Sequence, residues 1–162
     1  MVIASGIGTG YIRPASGTWG SALAVLLYLP LDAFNVIDRW WLWIAILGVA
    51  TLIGVWASYA GERVSGEKDS HDVVVDEIVG QWVALSFLPA TQATGLFSLW
   101  GASAQHIGLL AAAFFLFRLF DVWKPWPIHG LQRLPGGWGI MIDDLLAGLW
   151  ACILLHLVLR FV

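Results

Sequence analysis

The chain has 162 residues, of which 59% are hydrophobic and only 12% charged, and its mean hydropathy of +0.80 lies outside ordinary soluble usage. That composition suits one membrane-embedded domain over residues 1–162, and a net charge of −3 without a basic tract leaves no electrostatic footprint for nucleic acid. A single cysteine, Cys152, excludes an intrachain disulfide and a multi-thiolate zinc centre, and reads as a small core or lipid-facing residue.

The opening MVIASGIGTGYIRP has no positive n-region followed by a sustained apolar core, so it does not read as a cleavable signal peptide. Gly6 to Ser21 is the first motif. Gly6, Gly8 and Gly10 permit unusual backbone angles, and Thr18 is placed to cap a helix beginning near Gly20, which would point amide groups at an anion. The bland reading is a flexible leading loop with an ordinary N-cap. The segment is neither a P-loop nor a dinucleotide fingerprint, because it lacks Gly-Lys-Ser/Thr and a βαβ setting.

Hydropathy predicts helices over Gly20 to Val36, Trp40 to Tyr59, Val73 to Thr94, His106 to Trp123 and Asp143 to Phe161. The fold class expected is an all-α, polytopic membrane helical bundle with about four to five transmembrane helices, five being the working number. With the N-terminus inside, Arg13, Arg63, Lys68, Arg118, Lys124 and Arg133 fall on the cytoplasmic side, and Arg39 and Arg160 outside. All the polar motifs then share the cytoplasmic face. Trp40, Trp41, Trp43, Trp100, Trp123, Trp126 and Trp138 sit at predicted helix ends, as an interfacial belt does. Small residues, Gly54, Ala57, Gly80, Ala84, Gly148 and Ala151, would let helices approach closely.

The second motif is Gly66 to Gly80. Asp69, His71 and Asp72 lie in a polar loop, with His71 a second-tier acid or base and His129 a third; His106 and His156 read as packing or interfacial residues. Asp76 and Glu77 follow three valines and precede an apolar run, where an acid costs about 2.5 to 3.5 kcal/mol at a bilayer centre. A cation is expected to offset them. The bland reading puts both in a wet first helical turn, favoured by the dipole.

The third motif, Phe117 to Gly148, concentrates Arg118, Asp121, Lys124, Asp143 and Asp144 in a charge-poor chain. Arg118, Asp121 and Lys124 recur at spacing three, which sets them along one side of a helix that Pro125 and Pro127 stop. The bland reading has a structural Arg118–Asp121 pair, a snorkelling Lys124, and Asp143 and Asp144 capping the last helix after Gly136-Gly137-Trp138-Gly139. Together with Asp76 and Glu77 the set instead suits Mg²⁺ and a phosphate, with hard oxygens on the metal and cations on the phosphate.

These motifs resemble the phosphatidylglycerophosphatase A family nearly end to end. The resemblance is carried by GT-x-GS at Gly17 to Ser21, VVDE-x-x-G at Val74 to Gly80, FR-x-x-D-x-x-KPWPI at Phe117 to Ile128 and GG-x-GIMIDD-x-x-AG at Gly136 to Gly148; Ser16 departs from the pattern, which has proline. It implies a bacterial inner-membrane enzyme, multi-pass and facing the cytoplasm, that hydrolyses phosphatidylglycerophosphate to phosphatidylglycerol with Mg²⁺. Asp76, Glu77, Asp121, Asp143 and Asp144 carry over as metal-binding and catalytic acids and Lys124 as a catalytic cation, with Arg118, Lys124, Thr18 and Ser21 on the substrate. Water activated by the metal, or a carboxylate nucleophile, would attack in line. No protein partner is expected.

Other phosphatase chemistries lack their motifs. Six residues after Cys152 stands Val158 where a cysteine phosphatase needs arginine, and neither an SGH nor a DxDx(T/V) sequence occurs. The lipid-alcohol phosphotransferase start DG-x-x-A-R is absent too. Two further alternatives are a small ion transporter or channel with an acidic cytoplasmic-side site, and a structural membrane subunit.

Overall fold

The computed structural model of the protein describes residues 16–65, 74–88, 104–131 and 134–161. Gly6, Gly8, Gly10, Arg13, Lys68, Asp69, His71, Asp72, Trp100 and Arg133 lie outside them. The described residues form six helices and no strand. These are α1 (Ser16–Ala33), α2 (Trp40–Ser65), α3 (Val75–Ala84), α4 (Ala104–Trp123), the short α5 (Ile128–Leu131) and α6 (Gly137–Leu159). The N-terminal ends of α1, α3 and α6 and the C-terminal ends of α2 and α4 gather at one end, as the neighbours of Gly17, Gly20 and Gly137 and the ion pairs of Arg118 require.

Against the expected four to five crossings, three helices among the described residues are long and apolar enough to span: Trp40–Gly61, Gln105–Trp123 and Gly137–Leu159. The first predicted helix carries Pro30 and Asp32 near its end. The third is realised as α3, only 10 residues, about 15 Å of helix against a hydrocarbon core of about 30 Å. It stops because distant side chains take over its terminal polar groups. Leu85 to Phe87 turn away from the helix, with Phe87 at φ 59°, and the Tyr28 hydroxyl donates to the Leu85 carbonyl at 3.1 Å. Trp43 Nε1 donates to Ser86 Oγ at 2.9 Å, and His156 Nε2 lies 2.7 Å from the Phe87 carbonyl oxygen. Partners from three helices thus satisfy a chain end that would be costly bare in an apolar setting.

Around this end lies the main core, with Tyr28, Trp43, Leu85, Leu110, Ala113 and Leu155 buried together. Trp43 therefore leaves the expected interfacial belt, whereas Trp40, Trp41, Trp123, Trp126 and Trp138 are exposed. The small residues act as expected. A methyl group on Gly80 would stand 2.6 Å from the Asp144 carbonyl oxygen and 2.7 Å from Phe117 Cε2, and one on Gly148 would overlap the Gly80 carbonyl, so α3 and α6 touch backbone to backbone. That crossing fixes the depth of the acids on both helices.

Candidate active site

Asp76 and Glu77 occupy the first turn of α3, as the bland reading has it, but Asp76 is only 7% exposed. The helix dipole favours both, yet hydration does not balance their charge. Asp143 and Asp144 do not cap the last helix. That helix begins at Gly137, with Gly136 at φ 65° as its N-cap, so both acids lie nearly two turns inside it and are 4% exposed. Gly137 to Gly139 lie in the first turn of α6, and only Gly136 stands before it.

On α4, the Arg118 guanidinium stands 2.7 Å from Asp121 Oδ2 and 3.6 Å from Glu77 Oε1, so it bridges α4 and α3. Lys124 does not snorkel. Its backbone N–H donates to the Phe120 carbonyl at 2.7 Å with φ 45°, a conformation costing about 1–3 kcal/mol outside glycine. This left-handed end turns the ammonium onto Asp143 Oδ2 at 2.7 Å. Burial alone would lower the Lys124 pKa, but the Asp143 hydrogen bond and the charges of Asp143, Asp144 and Asp121 outweigh it and hold it above the usual lysine value.

Buried Asp144 lies within electrostatic reach of Asp76, Asp121, Asp143 and Glu77, whose charges all oppose its own. Five carboxylates from three helices thus meet two cations. Asp144 Oδ2 is buried and has no hydrogen-bond partner among the described residues. A cluster so short of positive charge repels a phosphate monoester unless a further cation joins it. Hard carboxylate oxygens and an open one at Asp144 fit Mg²⁺, which binds through one or two carboxylates, keeps waters and shares substrate oxygens. The described residues hold no ready-made cage of three or more ligating side chains.

The substrate-side candidates on α1 divide. Thr18 lies within the first turn of α1, exposed, and not at the N-cap of a helix beginning near Gly20. Ser21 is buried and its hydroxyl donates to the Gly17 carbonyl at 2.9 Å. The contribution of α1 that the sequence did not reveal is its bare face. A Cβ at Gly17 would reach 2.9 Å from Arg118 Nη1 and one at Gly20 2.6 Å from Glu77 Oε2, so both glycines are floor against which the Glu77–Arg118 pair lies. Gln81, one turn beyond Glu77 on the same face, was also missed; it is fully buried with neither side-chain polar atom paired among the described residues. A polar residue alone in an apolar run could have flagged it.

His106 pairs with Asp32 at 3.2 Å, and His156 closes the α3 end, so neither joins the acids. Between the acids and the opposite end the bundle is filled by the Tyr28–Trp43–Leu85 core. Acids lining successive depths, as an ion path needs, do not occur among the described residues, and the transport alternative finds no support.

The family model for phosphatidylglycerophosphatase A matches residues 2–159. The chain belongs to this family. Phosphatidylglycerophosphatase A of Escherichia coli is 32% identical over 163 residues, covering 97% of this chain and 81% of that protein. Its Haemophilus influenzae namesake is 34% identical over 153 residues, 94% of this chain and 83% of that protein. A Bacteroides thetaiotaomicron protein provisionally named a phosphatidylinositol-3-phosphatase is 34% identical over 156 residues, 96% of this chain and 90% of its own length. No solved structure matches the chain. The four motifs of the resemblance contribute residues to one cluster, with Gly17 and Gly20 lying against the Glu77–Arg118 pair.

Proposed function

We propose that the protein is a Mg²⁺-dependent phosphatidylglycerophosphatase of the bacterial inner membrane. It would convert phosphatidylglycerophosphate and water to phosphatidylglycerol and phosphate. The observation that carries this reading is the convergence of Asp76, Glu77, Asp121, Asp143 and Asp144 on Arg118 and Lys124 at one end of the bundle. Two relatives named phosphatidylglycerophosphatase A support the substrate.

The cations are held ready by carboxylates. Asp121 and Glu77 aim Arg118, and Asp143 aims Lys124, so a phosphate arriving between them finds donors already oriented. Asp144 with Asp76, Asp121, Glu77 and Asp143 would hold Mg²⁺. When bound, the ion supplies Lewis acidity to the phosphoryl oxygens and offsets the excess carboxylate charge. Either water attacks phosphorus in line as the bond to the glycerol oxygen breaks, its proton ending on that oxygen, or a carboxylate attacks first, the glycerol oxygen leaves and takes a proton from solvent, and water then hydrolyses the acyl-phosphate to release phosphate and restore the carboxylate. The diacylglycerol tails stay in the bilayer, which is why the site belongs at helix ends.

Orientation follows from charge. Arg63, Arg118 and Lys124 stand at the acid-bearing end, while Arg39 precedes α2 and Arg160 follows α6 at the other, a bias that supports a cytoplasmic site and an inside N-terminus. Among the described residues, five alternating helical segments, three of span length, support a multi-pass chain in which α1 and α3 enter the bundle with the spans.

The test is phosphate release in detergent from phosphatidylglycerophosphate and, separately, from phosphatidylinositol 3-phosphate, with Mg²⁺ and with EDTA. Expected is Mg²⁺-dependent release from the first that exceeds release from the second. Equal or greater turnover of the inositide would overturn the substrate, and full activity in EDTA the metal.

A further inference from the structure

A second feature lies between α2 and the start of α6, and none of the five acids lines it. Leu52, Val55, Trp56 and Tyr59 on α2 face Pro135 to Trp138 at the start of α6 across a groove of about 450 Å³. A buried layer of Ala57, Val75 and Ile140 packs between α2, α3 and α6. Gly136 and Gly137 leave the groove floor without side chains. A Cβ on Gly137 would overlap the Val55 carbonyl, so the start of α6 lies directly on α2.

The lining residues of α2 follow spacing i, i+3, i+4, i+7, one face of the helix. Arg63 continues the same stripe at i+11, exposed, with its guanidinium 4.6 Å from the centre of the Tyr59 ring. Read outward along α2, the stripe is aliphatic, then aromatic, then cationic. From Leu52 to Arg63 it covers about 16 Å of helix, about half the hydrocarbon thickness of a bilayer. A glycerophospholipid presents the same order over one leaflet: acyl chain, glycerol region, phosphate. Trp56 and Trp138, both exposed, flank it with the amphipathic rings that suit the interface.

We infer that this groove is a binding site for one anionic glycerophospholipid of the surrounding bilayer, with an acyl chain along Leu52 to Tyr59 and the phosphate on Arg63. The site is separate from the carboxylate cluster, and its occupant is a resident lipid and not the molecule being hydrolysed. Arg63 suits the phosphate because its planar fork donates two parallel hydrogen bonds while the ring of Tyr59 holds its position. The inference stands whether or not the chain is a phosphatase, since it needs only α2 and α6 to lie in a bilayer.

The experiment places the purified full chain in nanodiscs of phosphatidylcholine doped with a trace of photoactivatable lipid. Phosphatidylglycerol carrying a diazirine on its acyl chain is compared with the phosphatidylcholine analogue, and labelled peptides are mapped by mass spectrometry. Labelling is expected to concentrate on 52–59 and 135–138, with about fivefold preference for the anionic lipid, the factor that one interfacial arginine supplies. Arg63→Gln should bring the ratio to about one while the acyl labelling stays in the groove, and Leu52→Trp, which fills the groove, should reduce labelling there. Labelling spread evenly over the lipid faces of α2, α4 and α6 would overturn the site. An anionic preference that survives Arg63→Gln would overturn the role of the arginine. Unchanged labelling at Ile107 and Phe115 on α4 serves as the folding control.

Discussion

The two ends of the bundle treat buried polar groups in opposite ways. At the end of α3, the Leu85 carbonyl, Ser86 hydroxyl and Phe87 carbonyl each face a partner from another helix, and Asp32 meets His106 nearby at the far end of α1. At the start of α3, five carboxylates are gathered around two cations and Asp144 Oδ2 is left open among the described residues. Closing every polar group gives stability, whereas crowding like charges lowers it. The difference teaches that the far end is built to hold α3 in place and the near end to receive something charged.

The largest effect that would sharpen this contrast comes from Lys124. Lys124→Met should cut phosphate release by about 10²–10³-fold, as losing a preorganised electrostatic donor does, and should destabilise the protein by leaving Asp143 without its ammonium. Its pH dependence has a definite sign. Because the folded protein holds the Lys124 pKa above its ordinary 10.5, the pair stabilises fully below that value and loses its contribution as pH rises through the raised one. Melting temperatures of wild type and Lys124→Met should therefore differ by a constant amount from pH 7 to about 10 and converge only above it. Convergence near neutrality would break the account of that pair.

Gly80→Ala comes next. Its methyl would meet the Asp144 carbonyl and Phe117, so overpacking of about 1–3 kcal/mol is expected, together with a fall in kcat because Asp144 moves with its backbone. A variant with lower melting temperature and unchanged turnover would show that the crossing does not position the acids. At the far end, Tyr28→Phe removes the donor to Leu85 and should cost about 1 kcal/mol with turnover kept within about twofold. Cys152→Ala should do least, since its thiol makes only long contacts, 3.5 Å to the Ser86 carbonyl and 3.6 Å to His156 Nδ1; a melting temperature within a degree or two of wild type is expected. A large loss of turnover in either variant would erase the distinction between the ends.

Much of this was legible in the sequence because it is local. The three spans follow from length and hydropathy, the spacing-three face of α4 from helix geometry, the cost of acids in an apolar run marked Asp76 and Glu77, and the concentration of charge in a charge-poor chain marked Asp143 and Asp144. What escaped depends on residues far apart in the chain. The apolar run after Val75 continues through Leu85 and Leu88, so only Tyr28, Trp43 and His156, arriving from three other helices, explain why the helix stops there. Gly136 to Gly139 has the composition of a turn, yet packing of Gly137 on Val55 makes it the start of α6 and carries Asp143 and Asp144 from cap positions into the interior. The Lys124 side chain finds Asp143 because a left-handed backbone turns it there, which spacing alone does not encode.

The most direct test of the central claim measures activity and stability on the same preparations of wild type and Asp144→Asn. Removing one charge from the crowded cluster while keeping the side chain's shape should abolish Mg²⁺-dependent phosphate release from phosphatidylglycerophosphate and leave the metal-free melting temperature unchanged or higher. Retained turnover, or turnover lost together with a collapse in melting temperature, would contradict the reading of the cluster as a site built for chemistry at the expense of stability.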